Sequence, residues 1–116
     1  MGAALSLRLL GDVTVIDIVG QMKFDEDAVS LRDAVRDLVA KDRKKILVNL
    51  GEVSYIDSSG VGELVAGFTT VTNQGGQLKL LKLTKRVRDL LHITKLYTIF
   101  EVHDNEAAAV RSFSNA

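Results

Sequence analysis

A chain of 116 residues, 47% hydrophobic and 26% charged, has the size and composition of one globular domain, with 15 basic residues matched by 15 acidic ones. That balance argues against a bulk electrostatic pull toward a nucleic-acid backbone or an anionic membrane, and the absence of cysteine excludes disulfides, thiolate nucleophiles and cysteine-based zinc sites. No stretch approaches the roughly 18 apolar residues that span a bilayer, and the N-terminus has no apolar run behind a basic start, so the expected location is the cytoplasm, with no membrane or nucleic-acid partner. Leu5, Leu7 and Leu9 alternate with Ser6 and Arg8, and Val13 to Ile18 alternate again after Gly11-Asp12, the pattern of a β-hairpin with a two-residue turn. Gly20 is expected to break the second strand. Ala28, Leu31, Ala34, Val35, Leu38 and Val39 then recur at helical spacing from about Asp25 to Ala40, with Asp25 as N-cap, Glu26 and Asp27 in the first turn, and Lys41, Arg43, Lys44 and Lys45 after the end.

Ile46-Leu47-Val48-Asn49-Leu50 is an almost unbroken apolar run, which predicts a central strand covered on both faces. A connector holding Val53 and Tyr55 follows, then a helix with its stripe at Val61, Leu64, Val65, Phe68 and Val71, stopped by Gly75-Gly76. Gln77 to Leu83 predicts a strand, Thr84 caps a helix carrying Val87, Leu90 and Leu91, Ile99 to Val102 is a last strand, and Asp104 opens a terminal helix with Ala107 and Val110. The order β-β-α-β-α-β-α-β-α implies an α/β fold of one domain over 1–116: a mixed sheet with an N-terminal β-hairpin followed by βα units, helices packed on the sheet.

The most unusual segment is Ile56-Asp57-Ser58-Ser59-Gly60-Val61-Gly62, which enters the second helix. Gly60, Gly62 and Gly67 lie in or beside that helix, and a glycine inside a helix costs about 1 kcal/mol relative to alanine. Two reasons would make small residues useful there: close packing of helix on sheet, or close approach of a second protein to the helix start. The helix start also presents free amides and the positive end of the dipole, where a phosphate is accommodated. Equally, Ser58 or Ser59 serves as an N-cap for the first turn.

Val48-Asn49-Leu50, Val53-Ser54-Tyr55-Ile56-Asp57-Ser58-Ser59-Gly60-Val61-Gly62 and Gly75-Gly76-Gln77-Leu78-Lys79-Leu80 together resemble the core of the STAS domain of bacterial anti-sigma factor antagonists. The resemblance extends over the whole chain in length and element order. It implies that Ser58 is the residue phosphorylated by an anti-sigma factor that is itself a serine kinase, that a serine phosphatase resets it, and that the chain is a binder and substrate rather than an enzyme, with no cofactor of its own. The implied partner-binding residues are Asp57, Ser58, Ser59, Gly60 and Gly62, and the protein is expected as a monomer or weak dimer. Family members commonly carry a glycine, an acid, an apolar residue and an aspartate after the second strand, where this chain has Gly20-Gln21-Met22-Lys23. Lys23, replacing an acid, is expected either to pair with the Ser58 phosphate or to stand as a solvated surface lysine.

Two other classes stay open. A constitutive STAS interaction subunit, in a stress-sensing scaffold or a lipid-transport complex, would keep the fold without phosphate on Ser58. A receiver with Asp57 as phosphoacceptor lacks an adjacent acidic pair in the first strands, and a serine hydrolase would show Gly-x-Ser-x-Gly where positions 56 to 60 read Ile-Asp-Ser-Ser-Gly. His92 and His103 read as surface or boundary residues rather than metal ligands. Lys82, Lys85, Arg86 and Arg88 read as a solvated helix face or as a surface for an acidic kinase patch. Tyr55 and Phe68 are too few for base stacking.

Overall fold

The alternating apolar positions near the N-terminus form a hairpin in the computed structural model, which describes residues 3–23 and 30–113. Strands β1 (Ala3–Leu10) and β2 (Val13–Met22) pair antiparallel across Gly11-Asp12, with Leu10 opposite Val13. Strands β3 (Lys45–Ile56), β4 (Gln77–Leu81) and β5 (Val102–His103) add in parallel, giving the sheet order β1-β2-β3-β4-β5 with β3 at the centre. The connections are α1 (Leu31–Ala40), α2 (Ser58–Asn73) and α3 (Lys85–Ile93), and α4 (Glu106–Phe113) follows β5. The expected element order and mixed α/β sheet are both present.

Period-two alternation divides the sheet into two faces. Ile16, Ile18, Ile46, Val48, Leu50, Leu78 and Leu80 face α1, α2 and α3, whose Val35, Leu64, Val71, Val87 and Leu91 complete the main core. Val13, Val15, Leu47 and Leu81 point the other way, under Ala109 and Phe113 of α4. The run from Ile46 to Val48 is thus fully buried on both sides, as its unbroken apolar character requires. On the α4 side Arg8 bonds Asp17 and Glu106, and Asn49 Nδ2 donates to Asp17 at 2.8 Å, tying β1, β2, β3 and α4 together. The Arg8 guanidinium holds both carboxyls below the usual carboxylate range.

Several boundaries differ from the sequence expectation. Gly20 does not end β2: at φ +110°, a conformation side chains disfavour, it lets the strand shift register against β3 and run on to Met22. The supposed connector with Val53 and Tyr55 is the second half of β3. Asn49 Oδ1 accepts the Gly51 amide at 3.0 Å at a further irregularity in the ladder, after which Val53 and Ile56 return to the core. Helix α1 begins at Leu31, where Ser30 Oγ accepts the Asp33 amide at 3.0 Å, whereas Asp25, Glu26, Asp27 and Ala28 lie outside the described residues. The last strand is Val102–His103 rather than Ile99 to Val102, because Ile99 is held in a turn, its amide donating to the Leu96 carbonyl at 3.2 Å, and pairing with β4 starts only at Val102. Asn105, not Asp104, caps α4, accepting the Ala108 amide at 2.9 Å. Thr84 caps α3 and Gly75, at φ +78°, follows the end of α2, both as expected.

Candidate functional site

The site is built where β3 hands over to α2. Asp57 stands at the junction in an extended conformation, and its Oδ1 accepts the amides of Ser59 at 2.9 Å and Gly60 at 3.2 Å. Asp57 is therefore the N-cap, and neither serine is, contrary to the capping alternative for Ser58 or Ser59. The reason lies in tertiary structure. The Asp57 amide donates to the Met22 carbonyl at 3.2 Å, which fixes where the chain leaves the sheet and so which residue precedes the first helical turn. Ser58 becomes the first residue of a 16-residue helix, exposed, with its hydroxyl making no hydrogen bond among the described residues. A group attached there meets the positive end of the helix dipole.

The three glycines of α2 separate by what surrounds them. A Cβ on Gly60 would lie 2.3 Å from the Met22 carbonyl oxygen and 2.7 Å from Ile56 Cγ1, so this glycine is demanded by helix-to-strand contact. A Cβ on Gly67 would lie 3.3 Å from Val35 Cγ2, where α1 and α2 pack. A Cβ on Gly62 would meet no described atom within 4 Å beyond its own helix backbone and chain neighbours, and the residue is exposed. Internal packing thus accounts for two of the three.

Gly62 opens onto a groove of about 460 Å³ between the ends of β1 and β2 and the starts of α1 and α2. Lys23, Ser59 and Gly60 line the same groove, so the structure gathers Lys23 with the helix-start residues, while Ser58 lies outside its lining. Sequence reasoning missed Glu63 and Arg32 on its wall. Glu63 Oε1 accepts the Arg32 amide at 3.3 Å, and the two side chains form an ion pair at 3.7 Å, joining the starts of the two helices. The missed signal was periodicity counted from Ser59, since residues three and four further on, Gly62 and Glu63, share its helix face.

The other sequence candidates are accounted for elsewhere. His92 packs its ring against Tyr97 at 4.4 Å, and His103 Nε2 lies 2.6 Å from Glu101. Lys85 pairs with Asp89 at 2.9 Å, and Arg86 lies over the Tyr55 ring at 4.3 Å, so half of the basic run is engaged within the chain. Among the described residues no helix is long and apolar enough to cross a membrane, and no cluster of three or more metal-ligating side chains occurs.

Residues 4–109 match the model of the STAS domain family. The chain is 36% identical over 73 residues to the anti-sigma-B factor antagonist of Bacillus subtilis, a stretch covering 63% of this chain and 67% of that one. Among solved structures, it matches an anti-sigma factor antagonist from Mycobacterium paratuberculosis at a TM-score of 0.81, covering 97% and 95% of the two chains at 19% identity. The Bacillus cell fate determinant SpoIIAA in its phosphorylated form matches at 0.74, over 94% and 98% at 22% identity. The two solved structures share the fold, and with the family model spanning nearly the whole sequence, the chain belongs to the STAS-domain family of anti-sigma factor antagonists.

Proposed function

We propose that this protein is a cytoplasmic phospho-switch that binds an anti-sigma factor serine kinase while Ser58 is unmodified, freeing a sigma factor, and releases it once Ser58 is phosphorylated. The observation that carries the reading is the exposed Ser58 hydroxyl at the start of α2, left unused because Asp57 takes the capping role. A kinase can reach it, and the phosphorylated fold relative supports a phosphate on this scaffold. Phosphorylation adds about −1.5 to −2 charges beside the Asp57 carboxylate. Within the free chain the helix start offsets that charge, so the fold is retained. In a desolvated interface the same dianion must be stripped of water against whatever the partner presents. A penalty of about 3 kcal/mol weakens binding by somewhat more than a hundredfold.

The partner-contacting set is Asp57, Ser58, Ser59 and Gly62, with Gly60 seating the helix start beneath them and Lys23 lining the adjoining groove. ATP and magnesium belong to the kinase, and a serine phosphatase restores the binding form. The test is to recover the protein with its partner from the native host, map phosphate by mass spectrometry, and compare Ser58→Ala with Ser58→Asp. Ser58→Ala should bind persistently and Ser58→Asp weakly. Equal affinity of the two variants would defeat the switch and leave a constitutive interaction subunit.

A further inference from the structure

Strand β1 forms one edge of the sheet, and among the described residues no element pairs with its outer side. The two-residue turn makes Leu10 and Val13 a hydrogen-bonded pair, so by alternation Arg8 and Ser6 also bond to β2, while the amides and carbonyls of Leu5, Leu7 and Leu9 point outward. The side chains of these three leucines share the face of Ile16 and Ile18, their cross-strand neighbours at Leu7 and Leu5. Leu5 packs on the core, but Leu7 is 53% and Leu9 58% exposed. Natural edge strands are commonly protected by proline, lysine or brevity. This one is eight residues long, the chain has no proline, and the single charge on the strand, Arg8, is paired with Asp17 and Glu106.

We propose that β1 is a homodimerisation edge, on which two copies pair their β1 strands antiparallel about a twofold axis at Leu7. The pattern Leu-x-Leu-x-Leu is self-complementary under that operation: Leu7 meets its own copy, and Leu5 meets Leu9 of the other chain. About six backbone hydrogen bonds form, all from the outward groups of Leu5, Leu7 and Leu9. On the opposite face Arg8 stands across from Ser6 of the other copy, so no like charges oppose each other. The leucine faces of the two strands become one apolar patch, and exposed apolar surface leaves water. An interface of one strand per copy is smaller than the standard of about 1,600 Å², which makes the dimer weak and concentration-dependent. Because Ala3 and Leu5 also line the groove beside Gly62, the second copy would sit next to the partner-binding region, although the pairing itself does not depend on phosphorylation of Ser58.

Sedimentation equilibrium and amide hydrogen exchange on the full chain, from micromolar to millimolar concentration, test the pairing. The average mass should rise from monomer toward dimer, and protection of the Leu5, Leu7 and Leu9 amides should rise with it, while the Ser6 and Arg8 amides stay protected throughout. Leu7→Lys, which sets two ammonium groups face to face, should weaken association by about tenfold or more. Leu7→Pro removes an outward donor without touching the β1–β2 ladder and should do the same. Circular dichroism checks that each variant is folded, and if the proline variant is not, the lysine variant and the exchange pattern decide. A chain that stays monomeric throughout, a dimer protected at other amides, or association unchanged in the folded variants would overturn the proposal.

Discussion

Gly62→Ala separates stability from binding at one position. The substitution adds a methyl group where, among the described residues, no atom outside the adjoining turns of its own helix lies within 4 Å, in the interior of a 16-residue helix. Nothing is overpacked, and the unfolded chain loses conformational freedom, so the isolated protein should gain about 0.5–1 kcal/mol. For a chain of this size that raises the unfolding midpoint by about 3–6 °C per kcal/mol. If the partner approaches the helix at this open position, the same methyl intrudes on a packed contact and costs about 1–3 kcal/mol, or about 5- to 150-fold in affinity. Thermal unfolding of the free protein and calorimetric titration with the anti-sigma partner measure the two effects on one sample. A protein that is stabilised yet binds as the parent does would remove Gly62 from the interface. A destabilised protein would refute the reasoning that the space beside it is free.

Gly60→Ala should behave in the opposite way, losing at least about 1–3 kcal/mol in urea unfolding, because its methyl group has no room beside the Met22 carbonyl and Ile56. Asp57→Ala should cost about 1 kcal/mol through loss of the cap, while Ser59→Ala stays within about 0.5 kcal/mol, since only the backbone of Ser59 takes part. Equal losses at the two positions would return the capping role to the serine. Stability should also fall with acid in a way that Asp17→Asn blunts. The bond from Arg8 depresses the folded-state pKa of Asp17, so its contribution is fully present above the ordinary carboxylate value of about 3.9 and is lost as pH falls through the lower folded value. Glu106 shares the same cation and the same sign. Urea midpoints measured from neutral pH downward should therefore show a shallower acid limb in the variant, and parallel limbs would show that the bond adds nothing.

Legible from the residues alone is what repeats locally: the alternation that makes the hairpin, the unbroken run of the central strand, the apolar stripes of α1, α2 and α3, and the Asp-Ser-Ser-Gly junction that marks the site. These signals are legible because a strand or helix declares its buried face within a few residues of itself. Contacts between distant segments settled which residues cap α1, α2 and α4, that β2 passes through Gly20, that β3 continues beyond Leu50, and which glycines of α2 are spoken for by packing. Each of those outcomes rests on a partner distant in the chain, such as the Met22 carbonyl, which receives the Asp57 amide and leaves no room for a side chain on Gly60. Local periodicity carries no record of such contacts, so Ser58 stood apart from Ser59 only through the family resemblance, and its freedom from capping emerged only when β2 and α2 were brought together.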